Sequence, residues 1–382
     1  MDAVASLDAG GRQARFATRA AFFVAGLGVA AWAPLVPYAR ARLGIDEATL
    51  GALLFCLGLG SLVAMPLTGW LVGRLGCRAV ILASGLTFSA VLPSLAVISS
   101  LPAFAAALAL FGASLGVLDV AINIHAVLVE RGSPKPLMSG FHGLFSAGGF
   151  AGAAGTSVTL ALGVAPLSAT LAVVAVLVAA LAVSHRHFLR RSAEAPRTPA
   201  FAMPHGIVVL LGLLCFVVFL TEGALLDWSA LLLIDARGFE PAWGGLGYAA
   251  FAAAMTVGRL TGDRVVHAVG GLPVLVVGGL LAASGFAAAL LAPFGWLALA
   301  GFALIGIGSA NIVPVLFSAA GRQTRMPANL AIAAITTLGY AGVLAGPAAL
   351  GFIAEAAGLA QVFALLGVAM LVVPLTARIA VR

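Results

Sequence analysis

The sequence is poor in charge: 20 Lys and Arg and 13 Asp and Glu make up 9% of 382 residues, where an ordinary soluble domain carries about 25%. With 62% hydrophobic residues and a mean hydropathy of +1.15, the chain cannot cover itself with polar surface in water. That excludes a soluble globular protein and leaves a polytopic one that lives in the lipid bilayer. A net charge of +7 would suit nucleic acid, but no basic-aromatic face accompanies it, so no such partner is expected. Cysteine is scarce as well. Cys56, Cys77 and Cys215 form no CxxC, lie in or beside apolar runs, and read as small buried residues. His185 and His187 make an HxH pair with no further ligand nearby, so neither a metal nor a cofactor is expected. The chain has no HExxH, no GxSxG and no paired aspartates, which argues against an enzyme and leaves no catalytic residues to name. A glycine loop with a phosphate-binding lysine is missing too, which argues against pumping driven by ATP.

What is present is a series of about twelve apolar segments, most of them ~20–30 residues, the length of a tilted spanning helix. They cover 17–42, 47–72, 78–99, 101–130, 136–163, 166–186, 205–235, 242–267, 272–292, 295–320, 326–354 and 358–378. The first resembles a signal peptide, with Arg12, Arg15 and Arg19 ahead of a run ending near "AWA". Pro34 and the continuing apolar run make it a retained helix instead.

Basic residues test this count. With the N-terminus inside, 17 of the 20 Lys and Arg fall on cytoplasmic loops or ends, Arg259 among them. Arg40, Arg42 and Arg237 fall outside. Such asymmetry follows the positive-inside rule and puts both termini in the cytoplasm. The longest polar stretch, "SHRHFLRRSAEAPRTPAFAMPHG" (184–206), lies at the midpoint and reads as a basic linker on anionic headgroups. The expected organisation is an N-terminal six-helix half over 1–186, a linker over 187–204 and a C-terminal six-helix half over 205–382.

The two halves resemble each other at an offset near 190. "AINIHAVL" (121–128) matches "SANIVPVL" (309–316), "GFAG" (149–152) matches "GYAG" (339–342), "AWAPLV" (31–36) faces "DWSALL" (227–232), and "GRLG" (73–76) faces "DRVV" (263–266). Repeated membrane halves point to a transporter with its sites at the midplane.

Two six-helix halves, a central basic loop and glycine-arginine signals after helices 2 and 8 resemble the major facilitator superfamily over essentially the whole chain. That resemblance implies an all-α membrane protein with twelve transmembrane helices in two pseudo-symmetric halves. The family's loop motif has the form GxxxDRxGRR. "GWLVGRLGCR" (69–78) keeps Gly69, Arg74, Gly76 and Arg78 but has Gly73 at the acid. "RLTGDR" (259–264) keeps Asp263 and Arg264. The motif acid helps hold one conformation closed on the cytoplasmic side, so the resemblance assigns that latch to Asp263. "SGFHGLFSAGG" (139–149) and "TEGALLDWSA" (221–230) further resemble an inner-membrane branch of the superfamily related to fucose permease.

Ten of the 13 acids lie at ends or in loops, leaving Asp119, Glu222 and Asp227 inside helices. A charge at mid-helix is unfavourable by roughly 2.5–3.5 kcal/mol on insertion scales. No Lys or Arg is expected in the middle of any helix to relieve it. A wet cavity, a held proton or a bound cation remains, and each suits a coupling site. Asp119 and Asn123 lie ~40° apart on one helical stripe, and Ser229 shares the face of Glu222 while Asp227 is ~140° away. Proton coupling is therefore assigned to Asp119 and Glu222, with His142 as a relay. Asn123, Asn311, Asp227, Trp32, Trp228 and Tyr340 are the candidate substrate contacts. Each also admits a structural role: Asp119 as a partner to Asn123, Asn311 as a tie between helices, the aromatics as interface anchors.

The expected function is a proton-coupled secondary transporter, working as a monomer by alternating access on a small neutral or cationic organic solute. A drug/proton efflux antiporter is the alternative, and a non-transporting receptor or scaffold a third reading.

Overall fold

The structure is a computed structural model and describes residues 11–190, 203–240 and 243–381. Twelve helical spans run through it: α1 (Arg12–Leu43), α2 (Glu47–Leu75), α3 (Cys77–Ser94), α4 (Leu101–Arg131), α5 (Met138–Ala161), α6 (Pro166–Ser184), α7 (Ile207–Arg237), α8 (Leu246–Val269), α9 (Gly271–Leu291), α10 (Gly295–Arg322), α11 (Ala328–Ala357) and α12 (Leu359–Ala380). Eleven are long and apolar enough to cross a bilayer; α8, which carries Arg259, Asp263 and Arg264, is not among them. Large apolar side chains such as Phe150, Leu162, Leu291 and Leu375 are 78–81% exposed. Lipid is the solvent that accepts such a surface.

Local sequence sets the ends and bends. Pro102 and Pro166 sit in the first turns of α4 and α6, where the missing N–H had no intrahelical acceptor. Asp46 caps α2, accepting from the Thr49 amide at 2.8 Å, and its hydrogen bonds to Thr49 hold its carboxyl below the usual range. Prolines also break helices from within. Pro34 lies in a 3-10 turn of α1. α10 is interrupted at Ala310 and Asn311, just ahead of Pro314, and α12 at Leu371, ahead of Pro374.

The described residues form two compact units. One gathers those within Met1–Pro134, Leu144–Met203 and Met326–Ala333, the other those within Lys135–Gly143, Pro204–Arg325 and Ala334–Arg382. Each sequence half thus lends the other a helix start: the first residues of α5 belong to the second unit and those of α11 to the first. The predicted linker 187–204 lies mostly outside the described residues. Its opening is docked, however, with Phe188 buried and Leu189 bonded through both its amide and its carbonyl, to His125 and to the Arg78 amide.

Within the first unit α4 packs along α2 and α3; within the second α10 packs along α8 and α9. Glycine allows these contacts. A Cβ on Gly112 would collide with the carbonyl oxygen of Leu57, and one on Gly306 with that of Phe251. The same contact recurs 194 residues later on both helices. Gly76 and Gly270, single-residue joints with φ of 82° each, share that offset.

This register corrects the sequence matches. Asp263 stands opposite Gly69, one turn before Gly73, and Asn311 stands opposite Val117 and not Asn123. Helices built almost uniformly of Gly, Ala and Leu match nearly as well after a slip of one turn, so short identities could not fix it.

Replacing Gly112 by Leu should force α4 off α2 and destabilise the protein by roughly 1–3 kcal/mol or more. Gly155→Ala, where nothing lies within 4 Å of the added carbon, should not. Thermal unfolding of the two purified variants in detergent checks the contrast.

Candidate functional site

In the first unit Asp119 lies on α4 and is only 9% exposed. Its nearest polar neighbour is one turn along. Asn123 Nδ2 donates to the Asp119 main-chain oxygen at 2.9 Å and approaches Oδ1 at 3.4 Å. No basic side chain pairs with Asp119 among the described residues, and the Asn123 side-chain oxygen is buried without a hydrogen-bond partner there. The stripe of Asp119 and Asn123 lies along one face of α4, and its acid has no basic partner among the described residues. His125, on another face of α4, is fully buried. Its Nε2 accepts from the Leu189 amide at 3.0 Å, so the ring proton sits on Nδ1 and is given to Thr18 Oγ1 at 3.1 Å. Both nitrogens are engaged in tying α1, α4 and the linker opening together. Trp32 is buried against Phe104, with ring centroids 6.0 Å apart.

The second unit overturns one expectation. Arg259 is not at a cytoplasmic end: it lies ten residues from the C-terminus of α8, about 15 Å along the helix, and is 6% exposed. Its Nη2 pairs with Glu222 Oε1 of α7 at 3.0 Å. Glu222 is therefore not an acid without a basic mate. The expected segment 242–267 already ran eight residues past Arg259, and α8 continues through "GDRVVHAV" to the joint at Gly270.

The chemistry around Arg259 follows from Pro314. A proline has no N–H for the carbonyl four residues back, which frees the Ala310 oxygen. Arg259 Nε donates to that oxygen at 3.4 Å. In return Asn311 Nδ2, on α10, donates to the Gly258 carbonyl of α8 at 3.1 Å. Asn311 is thus a tie between α8 and α10. Glu222, whose side chain is 23% exposed, the buried Arg259 and the α10 break form one network across three helices. Ser229 is buried, as is the unpartnered indole N–H of Trp228, whereas Asp227 is exposed. Tyr340 meets Phe219 edge-on at 6.0 Å, and His142 meets Phe317 edge-on at 5.6 Å.

The exchanged helix starts meet the loop-motif residues. In the second unit Asp263 Oδ1 accepts from the Gly140 amide, in the first turn of α5, at 3.0 Å. A carboxylate there is favoured by the helix dipole and by an amide that has no intrahelical partner. In the first unit the equivalent Gly69 offers its carbonyl to Asn329 Nδ2, in the first turn of α11, at 2.7 Å. Where the second unit uses an acid, the first uses an amide. Arg74 lies over Trp70, 5.1 Å from its ring centre, and Arg264 is exposed.

Sequence reading therefore missed Arg259 and Asn329. Pro314 was the available signal for the first, since it marks a freed carbonyl that some donor must satisfy. Arg259→Gln should destabilise the protein by roughly 3–5 kcal/mol by leaving the Glu222 carboxylate unpaired, and adding Glu222→Gln should restore much of the loss. Thermal unfolding of the two single variants and the double variant measures the coupling.

Comparison with known proteins agrees with this architecture. The sequence pattern of the Major Facilitator Superfamily matches residues 20–329. An uncharacterized MFS-type transporter of Yersinia pestis is 51% identical over 96% of this chain and 95% of its own length. The membrane protein MosC of Rhizobium meliloti is 35% identical over 89% of this chain and 83% of its own. Among solved structures, the Escherichia coli fucose:proton symporter FucP superposes with a TM-score of 0.79 at 16% identity, covering 96% of this chain and 98% of that one. At that identity it speaks for the fold alone. A duplicated twelve-helix fold, a family pattern spanning most of the chain and relatives matched nearly end to end establish that this chain belongs to the major facilitator superfamily, as a multi-pass membrane transport protein.

Proposed function

We propose that the protein is a proton-coupled secondary transporter that moves a small neutral or cationic organic solute, sugar-like in the favoured case, by alternating access. Its proposed setting is the inner membrane, with both termini cytoplasmic. One observation carries the reading: Asp119 is buried in a membrane-spanning helix with an amide beside it and no basic partner among the described residues. A carboxylate in that position can gain and lose a proton without stranding a counter-ion, which is what a coupling group must do. The fucose:proton symporter whose fold it shares is, by its name, coupled to protons and acts on a sugar.

In this reading Asp119 is the principal proton carrier and Asn123 its neighbour toward the solute. Glu222 acts as one member of an ion pair that a polar solute can compete for, so its role passes through Arg259. His142, in the second turn of α5, serves as a relay. Asn311, Trp32, Trp228, Tyr340 and Asp227 are assigned to the solute path or its walls. Asp263 at the α5 start and Asn329 at the α11 start are the groups whose release lets each borrowed helix start leave its unit.

The test is uptake into proteoliposomes under an imposed proton gradient, with a panel of neutral sugars and the cationic dye ethidium as probes. For the probe that the wild type accumulates, Asp119→Asn should lower gradient-driven accumulation at least about tenfold while counterflow exchange persists. Wild-type accumulation by that variant would remove Asp119 from the coupling.

A further inference from the structure

The start of α7 and the ends of α10 and α12 enclose a cavity of about 340 Å³, within the range of small-ligand sites, about 300–1,000 Å³. Its polar lining is Arg322, Gln323, Thr324 and Arg325, and its apolar wall includes Ile207 and Ile379. The segment after α10 is pinned through its main chain: the Arg325 amide donates to Gln323 Oε1 at 2.8 Å, and the Arg325 carbonyl accepts from His205 Nε2 at 3.3 Å. Neither guanidinium, by contrast, has a hydrogen-bond or ion-pair partner among the described residues. Two unpaired cations lining one small cavity repel each other, and an anion between them turns that repulsion into charge-assisted hydrogen bonding.

We infer that this cavity binds the phosphate of an anionic phospholipid headgroup. The chemistry it offers is that of any phosphate; its place selects the lipid. The cavity lies at the ends of membrane-spanning helices, where headgroups sit. Its apolar wall is continuous with the exposed Ile379 and Leu375 of α12, a surface along which acyl chains run. Arg322 also borders a neighbouring cavity of about 220 Å³ with Ser139 and Ser318, where headgroup hydroxyls find partners. That this end faces the cytoplasmic leaflet rests on the topology proposed above; the site itself does not.

Native mass spectrometry of the full-length protein, released from nanodiscs of phosphatidylcholine with and without phosphatidylglycerol, reads the site directly. The wild type should retain phosphatidylglycerol in preference to phosphatidylcholine. The preference should fall about fivefold for each guanidinium removed and about twenty-five-fold in Arg322→Gln/Arg325→Gln. Arg322→Lys/Arg325→Lys should keep most of it, and Arg186→Gln/Arg190→Gln, at exposed arginines elsewhere, should change nothing. An unchanged preference in the double Gln variant overturns the site. If that variant does not fold, Arg325→Gln alone decides, because its main-chain bonds remain. If millimolar inorganic phosphate displaces the lipid and protects delipidated protein from heat equally well, the site takes soluble phosphate and the lipid assignment fails. None of these readouts involves transport, so failure here leaves the proton-coupling reading where it stood.

Discussion

In hydrocarbon the backbone has no partner but itself. Every N–H and C=O of a spanning segment closes within its own helix or must be met by something carried in on purpose. Most of this chain obeys through uninterrupted helix. The departures are informative, because each names its cause and its remedy. Pro314 leaves the Ala310 carbonyl unmet, and the donor that meets it is a guanidinium from α8. Burying that cation then requires an anion, and Glu222 of α7 supplies one. A missing N–H on one helix thus accounts for the placement of charged side chains on two others.

The second constraint is closeness. Without a hydrophobic drive between helices in lipid, association depends on packing, and packing on small residues. Gly112 against Leu57 and Gly306 against Phe251 bring α4 onto α2 and α10 onto α8 at the same register. The duplicated halves keep this framework while their polar contents diverge. One crossing carries Ser61 donating to the Gly112 carbonyl at 2.7 Å; the other carries the reciprocal bonds of Arg259 and Asn311. Steric requirements are shared between the halves, and electrostatic ones are not.

This division explains what could be read from the sequence. Helix count and limits came through within a few residues, since twenty apolar residues in a row admit few other structures. The stripe of Asp119 and Asn123 was legible because it depends only on helical periodicity. Register between the halves was not, because a Gly, Ala and Leu background scores almost the same after a slip of one turn. Arg259 was misplaced for a different reason. Basic residues were assigned to the cytoplasmic side as a class, and Arg259 was counted there although the expected segment 242–267 reaches eight residues beyond it. The exchange of helix starts, with Gly140 meeting Asp263 and Asn329 meeting Gly69, joins residues more than a hundred positions apart and leaves no local trace.

The structure separates two acids that the sequence treated alike. A proton arriving at Glu222 would neutralise it and strand the buried Arg259 cation. Breaking a buried pair in this way is unfavourable by roughly 3–5 kcal/mol. A proton arriving at Asp119 strands no cation among the described residues, where the Asn123 amide alone stands within hydrogen-bond reach of its carboxylate, at 3.4 Å. Of the two, Asp119 is the group that can take up a proton without leaving a counter-ion unpaired among the described residues. Glu222 can change only if something else takes over Arg259. A solute able to do that would link its own binding to the state of the pair. The division of labour we propose, with a proton carrier in one half and a solute-sensitive ion pair in the other, follows from which charge has a partner and which does not.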